Sequence, residues 1–257
     1  RNHWIDAGAR PGKVSGAYCA QIRKGESRIL ANYVASYDGA STLAHELGHA
    51  YHNMNLKERT ALQATTPMTL AETASIFCET IIRHAALEKA DAKEQLNILE
   101  LSLLGSCQIV VDVAGRFIFE QAVFEKRKQR ELSIDELNAL MLDAQKQTYG
   151  DGIDENALHP YMWAVKGHYY SAELPYYNYP YIFGLLFGLG LYARYQKNPE
   201  EFKQSYDELL SSTGMADAAT LAARFGIDTR TEAFWTSSLD ILREDIKTFE
   251  KLVDQLS

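Results

Sequence analysis

Two histidines and a glutamate stand close together in the segment His45-Glu46-Leu47-Gly48-His49. Residues four positions apart share one face of a helix, so His45 and His49 can offer two imidazole nitrogens to one metal ion. Glu46 can deprotonate a water molecule beside the metal without being a ligand itself. The pattern therefore predicts a catalytic zinc site for hydrolysis. The alternative is an ordinary amphipathic helix with incidental histidines.

A catalytic zinc ion needs a third protein ligand, and Glu72 is the candidate. It lies in the first turn of the next predicted helix. Glu79 is seven residues later on the same helix face, where it could orient a ligand from outside the coordination shell. Glu72 also ends a capping box that begins at Thr69, so a structural role as a helix cap is an alternative. His52 is offset around the predicted helix that carries His45 and His49. It is predicted either to lie at the surface or to support a metal ligand from outside the coordination shell.

The first 38 residues are rich in glycine and β-forming residues, whereas the remainder is typical of helices. Short strands are predicted at 15–19 and 28–37. Ser41 or Thr42 is predicted to cap the helix that carries His45 and His49. The predicted helices cover residues 40–56, 69–90, 92–130, 133–150, 199–211, 217–225 and 231–256, with one more, rich in glycine, ending at residue 195.

These elements predict a mainly α, multi-helix fold with a small antiparallel β-sheet near the N-terminus. We interpret residues 1–257 as a single catalytic domain, with a β-rich segment at 1–38 and a helical body at 39–257. A chain of this length with 46% apolar residues can bury a substantial core.

Composition narrows the possible partners and the compartment. A formal charge of -8 and a pI near 5.4 argue against nucleic-acid binding. The three cysteines, Cys19, Cys78 and Cys107, have no metal-binding spacing and cannot all pair within one chain, which favours a reducing compartment such as the cytoplasm.

Residues 174–193 are uncharged, but prolines and tyrosines in their first half leave too short an apolar stretch for a bilayer. We therefore expect no membrane partner.

Four blocks of the sequence resemble the oligoendopeptidase F family of zinc metallopeptidases, which is related to thimet oligopeptidase. The blocks cover residues 12–19 (GKVSGAYC), 42–52 (TLAHELGHAYH), 71–79 (AETASIFCE) and 176–179 (YYNY). They keep the family's order and span most of the chain. The resemblance implies a zincin-like catalytic domain that binds one Zn²⁺ per chain, with Glu72 as the third ligand.

The resemblance also implies roles for a histidine and a cluster of tyrosines. His168, Tyr176 and Tyr179 would bind the substrate backbone and stabilise the oxyanion, although the choice among neighbouring tyrosines is open by one or two positions. A phenol is a neutral donor that can be aimed at developing negative charge. The alternative is that most of these tyrosines are half-buried packing residues.

The same family comparison suggests where a peptide would lie. The strand predicted at 28–37 would be a sheet edge to which an extended peptide adds by backbone hydrogen bonds. Gly16, Ala17 and Tyr18 would line that cleft.

The sequence therefore predicts a zinc-dependent metalloendopeptidase that hydrolyses internal bonds of short, unfolded oligopeptides. A related zinc exopeptidase and a non-catalytic helical binding module with a vestigial metal site are the alternatives. Family members are considerably longer, with a helical amino-terminal portion as the other wall of a channel. Since this chain begins at Arg1 rather than Met, we interpret it as a carboxy-terminal catalytic portion whose N-terminal domain is missing.

Overall fold

The computed structural model describes residues 3–173 and 175–257, so Leu174, the first residue of the uncharged stretch, lies outside it. The mainly α fold with a small sheet near the N-terminus is confirmed. The chain forms two compact units, here called the first unit (Arg1–Leu103 with Gly184–Ser257) and the second unit (Leu104–Phe183). The single catalytic domain stays a prediction.

The sheet belongs to the first unit and has the order β1-β3-β2. Strands β2 and β3 are antiparallel and form a hairpin, although their bounds differ from the predicted 15–19 and 28–37. Gly25 at the turn has a φ of 70° that other residues rarely adopt. Strand β1 joins in parallel to β3. The strands are β1 (Ile5–Asp6), β2 (Tyr18–Arg23) and β3 (Glu26–Leu30).

The prediction that residues 28–37 form an open sheet edge is wrong. Strand β3 is central, with β2 on one side and β1 on the other. On the side of β3 that faces β1, the backbone carbonyls of Trp4, Asp6 and Ala7 accept hydrogen bonds from β3 and from the segment that follows it, as far as the N–H of Tyr33. The two-residue strand β1 is too short to show an alternating pattern, so the sequence did not reveal it. The edge strands of the sheet are β2 and the two-residue β1.

The first unit contains most of the helices, and side chains cap the start of several of them. Ser36 caps α1 with its side chain, in place of the predicted Ser41 or Thr42. Asn198 caps α8 and Pro199 occupies its first turn. The helices are α1 (Tyr37–Asn55), α2 (Met68–Ala71), α3 (Thr73–Leu87), α4 (Ala92–Cys107), α7 (Tyr179–Lys197), α8 (Pro199–Ser211), α9 (Ala218–Arg224) and α10 (Glu232–Leu256), of which α4 and α7 run across the boundary between the units.

The helix predicted over 69–90 is interrupted at Glu72, which lies between α2 and α3 with a ψ of 4°. The predicted capping box does not form, because Pro67 is the N-cap of α2 and no side chain caps it. Glu72 likewise makes no side-chain cap for α3. The alternative interpretation of Glu72 as a helix cap therefore has no support in the structure.

The second unit is built on α5 (Ala114–Arg127) and α6 (Ile134–Tyr149), with a π-helical segment, Gln108–Val113, leading into α5. Its core contains Phe119, Met141 and Ala144. Helix α6 begins with a capping box between Ser133 and Glu136. Three 3₁₀ turns follow, at Glu155–Ala157, Met162–Val165 and Gly167–Tyr170.

One continuous helical stretch among the described residues, Ala92–Arg127, is long and apolar enough to cross a membrane, because an 18-residue window within it has a mean hydropathy of 1.6. The core helix of a soluble protein passes the same test, so a single stretch of this kind is weak evidence for a membrane span. Residues 175–178 of the stretch that the sequence singled out form turns, and α7 begins only at Tyr179.

Candidate active site

Helices α1 and α3 approach each other to backbone contact at Gly48. A Cβ atom added there would lie 2.5 Å from the carbonyl oxygen of Ala74 and 2.6 Å from Cα of Ser75. Both distances are far shorter than real contacts. Only glycine therefore permits this approach, which brings α1 against the start of α3.

The predicted ligands meet at this contact. Nε2 of His45 and Nε2 of His49 each lie 3.3 Å from the same oxygen, Oε2 of Glu72. The two imidazole rings are edge-on, with centroids 4.9 Å apart. The three side chains are between one fifth and one third exposed, so small molecules can reach them. The residues therefore form one cluster that could hold a metal ion.

The donor set fits zinc in type and spacing. A tetrahedral ion with bonds of about 2.0–2.2 Å separates its ligand atoms by roughly 3.3–3.6 Å. The observed separations of 3.3 Å from Glu72 to each histidine agree with this. Two imidazoles with one carboxylate suit zinc rather than magnesium or calcium, which prefer oxygen ligands.

The charges of the cluster also favour a cation. Burial lowers the pKa of His45, but the carboxylates of Glu72 and Glu79 outweigh it and raise that pKa to about 10. Burial raises the pKa of Glu72, yet hydrogen bonds from the two histidines hold it well below its usual range. Positive charge is therefore stabilised where the three ligand atoms converge.

Glu46 is the predicted general base, and that role stays a prediction. It is only 6% exposed, and its Oε2 has no hydrogen-bond partner among the described residues. Burial raises the pKa of this carboxyl, although His45 and His49 act in the opposite direction. An unpartnered buried carboxylate is costly unless something binds it, so this oxygen is available to a water molecule or a substrate proton.

Two serines and a second carboxylate support the ligands. Oε2 of Glu79 lies 3.3 Å from Nδ1 of His45, while Ser41 donates to Oε1 of the same carboxylate at 3.1 Å. Ser75 donates to Oε2 of Glu72 at 2.7 Å. A carboxylate on the far nitrogen of a ligating histidine fixes the orientation of the ring. The orienting role predicted for Glu79 thus has a geometric basis.

The segment with Gly16, Ala17 and Tyr18 leads into the free edge strand β2. It is anchored by Asn32, whose amide donates to the carbonyl oxygens of Val14 at 2.8 Å and Gly16 at 3.2 Å. Burial raises the pKa of the Cys19 thiol, and Glu46 adds to this effect, so β2 begins within electrostatic range of the candidate base. Tyr18 is half exposed and open to a ligand.

The residues predicted from the tyrosine cluster lie in the second unit, whereas the candidate metal ligands lie in the first. Tyr176 has a φ of 55°, which is strained for a residue other than glycine. Its backbone N–H donates to Oε1 of Glu120 at 2.7 Å, and its ring lies against Phe117 and Phe124. These contacts hold the backbone in a conformation that the sequence alone would not predict.

The other tyrosines differ in how free their hydroxyl groups are. Tyr177 and Tyr181 share a hydrogen bond of 2.9 Å between their hydroxyls, and the hydroxyl of Tyr170 donates to a backbone carbonyl. Tyr179 is 41% exposed, and no hydrogen bond engages its hydroxyl within the described part of the chain. Of the predicted pair, Tyr179 is the more exposed residue, while its catalytic role stays a prediction.

The sequence profile of peptidase family M3 matches residues 1–241 of the 257. The chain belongs to peptidase family M3. The family resemblance based on four sequence blocks is thereby confirmed, together with the broader prediction of a metallopeptidase. No curated protein sequence matches this M3 peptidase significantly.

Solved structures share the fold of the M3 peptidase. A candidate peptidase from Chlamydophila abortus superposes with a TM-score of 0.83 at 24% identity, over 97% of this chain and 42% of the other. Oligoendopeptidase F from Enterococcus faecium gives 0.70 at 23% identity, over 85% and 40%. A candidate oligoendopeptidase F from Bacillus anthracis strain Ames gives 0.70 at 17%, over 98% and 42%. This chain thus spans about two fifths of the length of these relatives.

Several supporting residues of the M3 peptidase escaped the sequence analysis. Ser75 is three residues after Glu72, a spacing that places two helical side chains together and could have revealed it. Ser41 was noted only as a cap. Gly184 packs directly on Glu72, where an added Cβ would lie 2.8 Å from the Cβ of the glutamate. Its partner is more than a hundred residues away, so no local pattern could have indicated this contact.

Replacing Gly48 with Ala should weaken both the fold and metal binding of the M3 peptidase. The new methyl group would have to push apart the backbones of α1 and α3, which should lower the unfolding free energy by about 1–3 kcal/mol. Urea unfolding and zinc titration measure the two effects. Gly105→Ala is the matched control, because nothing lies within 4 Å of a Cβ there. Equal behaviour of the two variants would show that the close approach is unimportant.

The prediction that His52 could lie at the surface is wrong, because it is a buried residue that hydrogen-bonds Thr213 at 2.8 Å. Burial, followed by the charge of His49, lowers the pKa of His52 from 6.5 to about 4. The unfolded chain therefore binds the proton more readily, and stability falls as the pH drops from 6.5 towards 4. The full difference corresponds to about 3 kcal/mol of unfolding free energy.

Urea unfolding of the chelator-treated protein at pH 7 and pH 5 tests this dependence. His52→Gln can still hydrogen-bond but does not titrate, so its pH slope should be shallower than that of the wild type. A residual slope is expected from His84, because burial and the charge of Arg83 lower the pKa of His84 to about 4. Identical slopes in wild type and variant would refute the role of His52.

Proposed function

We propose that this M3 peptidase is a zinc-dependent metalloendopeptidase that cleaves internal bonds of short, unfolded oligopeptides. The observation that carries the proposal is the convergence of His45, His49 and Glu72 beside the buried, unpartnered carboxylate of Glu46. One zinc ion per chain is proposed, in keeping with one cluster of this kind among the described residues.

The metal ion and Glu46 have different roles in the proposed reaction. Zinc, when bound, would supply Lewis acidity that polarises a carbonyl oxygen and makes a neighbouring water more acidic. Glu46 takes the proton from the attacking water and passes it to the leaving amine. The raised pKa of Glu46 makes its carboxylate a stronger base, which favours taking the proton from the attacking water.

The substrate contacts are proposed from the exposed groups of each unit. Gly16, Ala17 and Tyr18 would contact the peptide backbone where the segment enters the free strand β2. His168, Tyr176 and Tyr179 would bind the peptide and stabilise the oxyanion, by resemblance to oligoendopeptidase F. We place the enzyme in the cytoplasm because of its odd number of cysteines.

A further helical domain is proposed as a partner. The solved relatives are more than twice as long as this chain. Exposed apolar residues of the first unit, among them Ile81, Ile82 and Leu101 at 37–46% exposure, would be available for contact with such a domain.

Cleavage of a peptide blocked at both ends tests the proposed function. An endopeptidase should produce internal fragments, the reaction should stop after zinc is removed with a chelator, and it should resume when zinc is restored. Mass spectrometry of the products identifies the cleaved bond. Cleavage only of peptides with free ends would indicate the exopeptidase. Full zinc occupancy without cleavage of any peptide would indicate the binding module and overturn the proposal.

Tyr179→Phe should lower kcat more than it raises KM, because the hydroxyl would act on charge that develops during the reaction. A loss of a hundredfold or more would be of the order seen for oxyanion-binding groups. Tyr170→Phe is the control, since it removes a hydroxyl from a more exposed ring nearby. If kcat of the Tyr179 variant equals that of the control, another group stabilises the oxyanion.

A further inference from the structure

His168 is the last member of a row of polar contacts within the second unit. Arg116, on α5, forms an ion pair with Asp112 one helical turn earlier. Its Nη1 donates to Oδ1 of Asn178 at 3.4 Å. The amide nitrogen of Asn178 in turn contacts Nε2 of His168. Asn178 is 3% exposed, so it has little access to other partners.

The chemistry of the guanidinium fixes the direction of each hydrogen bond in this row. Arginine can only donate, so the oxygen of the Asn178 amide must face Arg116. The NH₂ group of the same amide then faces the ring of His168. An NH₂ group donates, and Nε2 of His168 must accept, which leaves no hydrogen on that nitrogen. The hydrogen of a neutral His168 ring therefore resides on Nδ1.

The surroundings favour the neutral ring. Burial, followed by the positive charges of Arg116 and Lys166, lowers the pKa of His168. Within residues 3–173 and 175–257, no hydrogen bond engages its Nδ1 atom. The ring is only partly buried, so Nδ1 can meet a ligand.

The far end of the row is anchored as well. Asp112 accepts a hydrogen bond of 3.1 Å from the hydroxyl of Tyr149 on α6. The side chains of Asp112 and Arg116 are 15% and 11% exposed, so the ion pair is largely shielded from water. Arg116 consequently cannot swing away without breaking a buried pair, and the orientation of Asn178 is held.

We propose that Arg116 and Asn178 are positioning residues that hold His168 as a neutral imidazole with its hydrogen on Nδ1, ready to donate to a carbonyl oxygen of the peptide. The functional part of this inference rests on the proposed peptidase function. The state of the ring does not, because it follows from contacts within the second unit alone.

Nitrogen NMR of the ¹⁵N-histidine-labelled chain tests the inference directly. The His168 signals, assigned by their loss in His168→Gln, should show Nε2 in the unprotonated range and Nδ1 in the protonated range near neutral pH. In Asn178→Asp the carboxylate accepts from both neighbours, so the hydrogen should move to Nε2. Asn138→Asp introduces the same charge in the same unit, next to Trp163, and should leave the His168 signals unchanged.

Activity gives a second readout. Asn178→Ala should release the ring and lower kcat/KM roughly tenfold, as expected for loss of one hydrogen bond, while zinc affinity stays unchanged. Asn138→Asp should retain wild-type kcat/KM. Thermal unfolding identifies any variant that fails to fold, and in that case the wild-type spectrum alone decides.

Two results would overturn the inference. One is a wild-type His168 with its hydrogen on Nε2, and the other is a folded Asn178→Asp variant with wild-type nitrogen shifts. The proposed function fails separately. A chain that shows the expected shifts but cleaves no peptide refutes only the peptidase, whereas a chain that cleaves peptide with the opposite tautomer refutes only the role of Asn178.

Discussion

Glu46→Gln is expected to lower kcat by about 10²–10⁴-fold while zinc remains bound. The amide is nearly the same size as the carboxyl but cannot take a proton from water. Because Oε2 of Glu46 has no protein partner among the described residues, the substitution breaks no side-chain contact there. The fold and the three metal ligands should therefore be preserved.

Steady-state kinetics on the end-blocked peptide, with zinc measured in the same samples, checks this prediction. Glu58→Gln removes an equal charge from an exposed residue just beyond α1 and serves as the control. Zinc content should be one per chain in both variants. If metal-loaded Glu46→Gln kept most of the wild-type turnover, Glu46 would not be the general base.

Glu72→Ala should have the largest effect on metal retention. It removes the oxygen that lies 3.3 Å from both histidine nitrogens, and with it one of three ligands. Glu79→Ala is the matched comparison, since it deletes another carboxylate 3.3 Å from His45 without removing a ligand. Loss of an outer partner of this type weakens metal binding about 10–100-fold.

Competition with a chelator of known affinity measures both variants on one scale. We expect the zinc dissociation constant of Glu72→Ala to exceed that of Glu79→Ala, which in turn should exceed that of the wild type. If Glu79→Ala lost zinc more readily than Glu72→Ala, the two roles would be exchanged. Wild-type affinity in Glu72→Ala would remove it from the ligand set.

Elements with local signals were predictable from the sequence. Helix α8 has the bounds that were predicted for it, and Asn198 and Pro199 mark its start. Helix α6 likewise begins beside the predicted start at residue 133, where Ser133 is its N-cap. Strand β1 and the central position of β3 were missed, because they depend on pairing between distant segments that leaves no periodic pattern.

The candidate metal ligands were predictable for a similar reason. His45 and His49 are close in sequence and share a helix, so their spacing alone indicates a chelate. Glu72 remained ambiguous between ligand and cap until the interruption between α2 and α3 removed the capping role. The contacts of Glu72 with His45 and His49 depend on tertiary packing, which the local sequence does not reveal.

The second unit shows the limit of sequence reasoning most clearly. Arg116 and Asn178 are 62 positions apart, and only the folded chain places them in contact. The left-handed backbone of Tyr176 depends on Glu120, 56 residues earlier. Residue types suggested a tyrosine cluster with chemistry, but the contacts that orient it arise from packing.

X-ray absorption at the zinc edge of the metal-loaded chain tests the central claim most directly. The account predicts one zinc per chain in a four-coordinate shell of nitrogen and oxygen at about 2.0–2.2 Å, including two imidazoles. This signal should lose an imidazole in His49→Ala. A sulfur ligand near 2.3 Å, or a shell without imidazole, would contradict a site formed by His45, His49 and Glu72.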